Sequence, residues 1–537
     1  MSAPSRWPRA VLAGARVSIT LATTLPTTAF AADPAGDAAA PAEPAEAVPA
    51  ASTSPAPGEP SSAPIANDEP LLAITDTGEV RVGASLPPNF VVDTEGNEVG
   101  QGLSMNTRLR YGMSATFSGV SLRTEWDLFD NQLLGDPWDI RGTEDARHRE
   151  SVGVTWGSFA ARRLSLGGRA GPVAMEGGIV TSHWGLGMLA NDGAHDPEFG
   201  QTEFGDRVLR LRIGTRPVEN VPLTLGLAGD RVLEDESAEW SVFEDGGEAA
   251  YQAIGSVMYG TPETGRYGIY GVYRDQLESD LVRHTQVGVV DLYTDIPVSL
   301  PAADLRFAFE GAGIFGTTDR TASYNSRDGL DVAACGMSAL AEARVKPLDL
   351  RGLLRLGFAS GDENPDDGTT STFAFDRDFD VGLVMFDEFQ GAIDAAAYAQ
   401  LSDPEHAGGA PDGAEAIVGE GAFRQGLFVQ PVVSAIPLKN IEVKVGVLLA
   451  WATAPISQAY ATYRNGGVPA NFLGEPTEGY ELGSEIDWAV KLGDHPIPMR
   501  TLKLSPAILV QGGHYFASAN LGGGMHHLVT GSARLRW

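Results

Sequence analysis

The chain has 537 residues, 43% of them hydrophobic and 20% charged, which excludes a polypeptide disordered throughout. Its 70 acidic against 38 basic side chains leave a formal net charge of −32, which argues against nucleic acid as a partner. A single cysteine, Cys335, excludes an internal disulfide framework.

At the N-terminus, Arg6, Arg9 and Arg16 precede a short apolar run, "VSITLATTL" (17–25), and "AFA" (29–31) supplies an A-x-A cleavage site. This pattern predicts a secretory signal peptide over 1–31, and no cysteine near the site points to a lipid anchor. Residues 32–70 are rich in Ala, Pro, Glu and Ser, so they predict an extended periplasmic linker that buries no core. No later window offers the roughly 18 continuous apolar residues of a transmembrane helix. Export without such a helix leaves a periplasmic, secreted or outer-membrane protein, and a membrane barrel is invisible to hydropathy because its strands alternate.

Residues 71–537 carry that alternation. "TRLRYGMSATF" (107–117) sets Leu109, Tyr111, Met113, Ala115 and Phe117 against Arg108, Arg110, Ser114 and Thr116. "VSLRTEWDL" (120–128) repeats the scheme after Gly119, so the two predict a hairpin with matched faces. Further strands are predicted near 79–88, 159–169, 172–181, 206–216, 221–233, 248–258, 265–274, 284–298 and 303–315. More follow near 333–345, 349–359, 422–436, 440–452, 481–492, 500–512 and 527–537, about 18 in all.

Two features predict an all-β, antiparallel transmembrane β-barrel rather than a sandwich. Tight turns (171–172, 346–349, 437–439) alternate with long acidic stretches (182–205, 234–247, 360–421), as short periplasmic turns alternate with long external loops. The chain also ends in "VTGSARLRW", with Leu535 and the terminal Trp537 on one face, like the signal read by the barrel assembly machinery. Phe117, Trp126, Trp184, Tyr267, Tyr273, Trp451, Trp488 and Trp537 suit aromatic girdles at the lipid interfaces.

Why an acidic chain lines strands with arginine follows from the barrel. Charge facing lipid is costly, so the polar face points inward. The expected pore-lining bases are Arg108, Arg110, Arg123, Arg210, Arg212, Arg306, Arg344, Arg351, Arg355, Lys444 and Lys491, with Lys503, Arg534 and Arg536 on the same face. The expected inward acids are fewer: Glu125, Asp127, Glu310, Glu342, Glu442, Glu485 and Asp487. This allocation predicts a cationic, anion-selective lumen and anionic outer loops. Mutual pairing of these bases and acids is the competing reading.

"RLGFASGDENPDDGTTSTFAFDRDFDVGLVMFDE" (355–388) resembles the strand-plus-loop of the alginate-export outer-membrane porins. "WDLFDNQLLGDP" (126–137) and "TSHWGLGMLANDG" (181–193) resemble an uncharacterised branch of that group. The resemblance is patchy but spans most of 78–537. It implies a monomeric barrel in the outer-membrane lipid whose arginine-rich pore passes an anionic polysaccharide, with Arg351 and Arg355 carried over at the motif.

Weaker signals remain. Asp362, Asn364 and Asp366 alternate like the start of a calcium loop, but the glycine comes one position late and no bidentate Glu follows. Calcium is thus a minor alternative to a solvated loop, and no other cofactor is expected. Adjacent Ser182 and His183 point apart on a strand, so they predict no hydrolase pair. His526 and His527 lack a carboxylate at metal spacing, and no enzyme activity is expected. Two functions stay open: a channel for anionic solutes, and a plugged structural or adhesion barrel acting through its acidic loops.

Overall fold

A computed structural model describes residues 72–99, 103–134, 159–201, 205–235, 237–240, 248–278, 282–320, 329–364, 367–402, 419, 421–494, 497–499 and 502–537. The predicted signal peptide and linker lie outside them.

The chain folds into a closed antiparallel barrel of 18 strands. The first nine are β1 (Leu72–Leu86), β2 (Ser104–Phe117), β3 (Val120–Leu134), β4 (Phe159–Ala170), β5 (Val173–Thr181), β6 (Arg207–Thr215), β7 (Leu223–Asp235), β8 (Ala249–Thr261) and β9 (Gly265–Leu277). They continue as β10 (His284–Ser299), β11 (Ala303–Thr318), β12 (Leu330–Val345), β13 (Leu350–Ala359), β14 (Gly426–Leu438), β15 (Ile441–Ala452), β16 (Glu481–Gly493), β17 (Leu502–Ala517) and β18 (Met525–Arg536). Each pairs with its sequence neighbours, and β1 closes the ring on β18 from Glu79↔Arg536 to Leu86↔Val529. Closure leaves no sheet edge around the ring, which a strand-built membrane protein requires.

The predicted alternation sets the faces. In β6, Leu209, Leu211 and Ile213 are exposed on the outside, while Arg210 is buried inside. Leu227, Ile269, Leu292, Phe307 and Val445 continue the apolar outer surface. This outer face and closed ring are the architecture of a transmembrane β-barrel. Among the described residues no helix is long and apolar enough to cross a membrane.

Turn chemistry puts the short connections at one end. Ser118 and Gly119 both have positive φ (48° and 80°), the backbone that a two-residue hairpin turn needs. The chain terminus is locked at this end. Gly78 and Trp537 exchange backbone hydrogen bonds of 3.1 and 3.0 Å. A Cβ on Gly78 would lie 2.0 Å from the Trp537 ring, so only glycine admits the indole there.

Some boundaries differ from the sequence expectation. β1 starts at Leu72 rather than 79, because Leu72–Thr77 pairs with β2 alone, beyond the chain terminus at Trp537. β3 continues past 128, since Phe129 takes a positive φ of 63° and the ladder resumes after a register shift. The stretch expected as a solvated acidic loop holds a helix, α1 (Gly391–Ser402). Its sequence, "GAIDAAAYAQLS", shows no polar stripe because the helix is covered nearly all round.

The main hydrophobic core lies inside the barrel. Phe373, Phe375, Phe379, Val384, Phe386, Phe389 and Ile393 from the β13–β14 connection pack with wall residues Leu353, Phe428, Val432, Leu448 and Tyr515. The inner face of β13–β18 is therefore apolar at many positions where a polar lumen was expected.

Candidate functional site: a lumen crossed by inserted loops

On the inner wall of β1–β11, arginines face carboxylates on neighbouring strands. Arg108 Nη2 donates to Glu79 (2.7 Å), and Arg110 grips Asp127 through two bonds of 2.6 and 2.8 Å. Arg210 binds Asp230 the same way (2.8 and 2.6 Å) and also donates to Ser182. Arg212 pairs with Glu176, and Arg123 lies 3.8 Å from the same carboxylate. Arg306 and Arg266 share Asp295 at 2.9 and 3.0 Å. Planar, two-point contacts of this kind are the strong form of the ion pair.

This pairing corrects the expected allocation of charge. Glu79, Glu176, Asp230 and Asp295 face inward but were absent from the inward acids expected from sequence. In "VAMEGGIV" and "GLAGDRV", glycines blur the period-two pattern, so the acids within them carried no facing signal.

The expected anionic outer loops also contribute inward charge. The segment 182–201, after β5, crosses the lumen. Its near end is held by wall acids: Trp184 Nε1 donates to Asp291 (2.8 Å), and the amides of Leu186 and Met188 donate to Glu310. Trp184 stacks on Tyr270 inside the barrel, not in an outer aromatic girdle as expected. Its far end is held by wall bases. Glu198 takes two bonds from Arg351 (2.8 and 2.7 Å) and one from Lys444 (3.2 Å). Asp196 accepts from Arg534 (2.8 Å) and Arg536 (3.1 Å). Phe199 seats on Gly446, where a Cβ would come within 2.6 Å of the ring.

Burial alone would raise the Glu198 carboxyl. The Arg351 hydrogen bond and the Lys444 and Arg351 charges outweigh it and bring the pKa to about 2.

The 371–402 segment docks by other means. Glu485, wholly buried on β16, accepts three backbone amides, from Leu383 (2.6 Å), Val384 (2.8 Å) and Met385 (2.7 Å). These are the free N–H groups of the wide turn that leads into α1. Arg355 donates to the Asp380 carbonyl (2.9 Å) and to Gln430 (3.0 Å), with its guanidinium 4.9 Å from the Phe379 ring centroid. Arg351 and Arg355, expected as pore-lining bases carried over at the motif, thus hold the two inserted segments. Glu342 also contacts Arg351 (3.0 Å).

The remaining expected bases divide. Lys491 pairs with Asp494, and Arg534 reaches both Asp196 and Asp494. Arg344 is exposed near the short-turn end, across the ladder from Arg351, and Lys503 is exposed on β17. The expected calcium ligand Asp366 lies outside the described residues. Asp362 Oδ1 accepts the Asn364 amide (3.0 Å), as in a plain Asx turn.

Between the crossing segment and the β15–β18 wall lies a recess open to solvent. Arg81, Lys444, Lys491 and Arg534 line it together with Asp196, Glu198 and Glu442.

No family model and no curated protein matches the chain, and the resemblance to alginate-export porins finds no support there. Among solved structures, the chain is similar to Pseudomonas aeruginosa OprD, with 10% identity, 86% of this chain and 95% of that chain covered, and a TM-score of 0.46. It is similar also to OccK11 (OpdR) of the same organism, with 12% identity, 86% and 95% covered, and a TM-score of 0.44. OccK2 (OpdF) in complex with glucuronate gives 11% identity, 86% and 97% covered, and a TM-score of 0.44.

Proposed function

We propose that the protein is an outer-membrane channel for small polar solutes, narrowed by its own inserted loops. The observation that carries this reading is the segment 182–201, pinned across a closed barrel yet leaving a charged recess open to solvent beside it. A barrel built only to display loops outside has no need of a charged recess in its lumen near the short-turn end. A polymer needs a continuous wide bore, so the inserted segments favour small solutes over an exopolysaccharide.

The pore-lining role of the inward bases is part of the proposal, at reduced strength. The recess offers four bases against three acids, and most bases elsewhere on the wall are paired. Selectivity for anions should therefore be weak and clearest at low salt, where screening is least. Trp537 with Leu535 serves as the assembly signal, and a monomer is the working unit.

Purified protein in planar bilayers tests this directly. Discrete conductance steps with a reversal potential shifted slightly toward chloride are expected. Silent insertion would sink the channel reading and favour a plugged structural or adhesion barrel.

A further inference from the structure

Within the crossing segment, three side chains converge away from the recess. His183, Asp192 and His195 each present one ligand atom, and all three atoms lie within 4.8 Å of one another. Asp192 Oδ1 is 3.5 Å from His183 Nδ1 and 3.6 Å from His195 Nδ1. Both separations are too long for good hydrogen bonds. Donors placed about 2.0–2.1 Å from a tetrahedral zinc ion are about 3.3–3.4 Å apart, so two edges of such a tetrahedron are nearly formed.

A second observation concerns His183. Its side chain is only 9% exposed, and its buried Nδ1 has no hydrogen-bond partner. A buried polar atom without a partner calls for an explanation, and an ion beside it is one. The neighbouring chain is held in place: the Asp192 carbonyl accepts from buried Arg162, and Asp192 Oδ1 also accepts the Ala194 amide (3.1 Å). Such outer contacts orient first ligands. His195 is about half exposed, at 48%, so the cluster is reachable from solvent and keeps room for a fourth ligand such as water.

We propose that His183, Asp192 and His195 bind a divalent transition-metal ion of the zinc class. Imidazole and carboxylate donors suit this class, whereas magnesium and calcium favour all-oxygen sites. The ion ties the start of the crossing segment (His183) to its middle (Asp192 and His195), so it fixes the loop that narrows the lumen. This rests on the geometry of the cluster and stands whether or not the barrel conducts.

The test uses the full chain, purified without a histidine tag and stripped with a chelator. Calorimetric titration with zinc chloride should show saturable uptake of one ion. Cobalt chloride should give the visible absorption of a nitrogen- and oxygen-ligated ion. His195→Ala and Asp192→Asn should each weaken zinc binding by at least about tenfold. His195→Ala sits at a half-exposed loop position, so the barrel folds as before, which circular dichroism checks. His527→Ala serves as control, because exposed His514 and His527 form a separate pair with Nδ1 atoms 2.6 Å apart. It should leave binding unchanged. Absence of saturable uptake, full binding in His195→Ala, or loss in His527→Ala would each overturn the assignment.

Discussion

The inner wall of β1–β11 and that of β12–β18 keep the lumen in shape by different physics. On the first, charge meets charge between adjacent strands, as in Arg108–Glu79 and Arg210–Asp230. On the second, apolar side chains such as Phe428 and Leu448 receive a hydrophobic segment that starts after β13 and ends before β14. The ion pairs rigidify the wall itself. The apolar wall is a socket whose partner is another part of the chain. Segment 182–201 spans the two regimes, with its start on the wall acids Asp291 and Glu310 and its far end on wall bases.

The apolar side should be the easier to open. Glu485→Ala leaves three buried amides without an acceptor, each costing about 1–3 kcal/mol, so undocking of 371–402 is the largest effect expected. Conductance steps should grow and the segment should become sensitive to protease, while the far-ultraviolet spectrum of the barrel persists. Unchanged steps together with full protease resistance would show that the phenylalanine cluster alone holds the segment.

The charged side should be costly to break by halves. Arg210→Met strands Asp230 in the wall, which typically costs about 3–5 kcal/mol, whereas adding Asp230→Leu should recover most of that loss. Urea unfolding of the refolded barrel in detergent reads the difference between single and double variants. A double variant as weak as the single would mean that the wall depends on the arginine's packing and its bond to Ser182, not on charge balance.

The two walls were unequally legible in the sequence. Strand count and facing followed from alternation, because lipid outside leaves each strand one apolar face, as in "TRLRYGMSATF". Charge balance was misread because acids such as Glu176 and Asp230 stand among glycines, where period two fades. The inward core was invisible for another reason. Phe428 and Leu448 sit on strands apolar on both faces, and the helix after Gly391 is apolar all round, so neither shows a period that tells inside from outside. The cluster at His183 had a signal, the Asp-x-x-His spacing of Asp192 and His195, but its third member is brought in only by the fold of the loop.

The finest contrast is between the two inserted segments under acid and salt. Docking of 194–201 depends on Glu198 staying ionised beside Arg351 and Lys444. Its pKa falls from 4.5 to about 2 when docked. A group depressed in the docked state stabilises that state above its free pKa and loses the effect as pH falls toward the docked value. Protection should therefore be full above about pH 5 and decline between there and pH 2. Salt at 1 M, with a Debye length near 3 Å, should weaken it further, though less than in open water because the pair is mostly buried. The stretch 386–396, held mainly by phenylalanine packing alongside the buried Asp394–Arg424 pair (2.7 Å), should respond less to either. Hydrogen–deuterium exchange of the two peptides at pH 6 and pH 3, corrected for intrinsic rates, measures this. The effect is the smallest expected, since Arg351 keeps Glu342 and Phe199 still sits on Gly446. If both peptides lost protection equally on acidification, the lumen would be a single cooperative unit and the division between charged and apolar docking would fail.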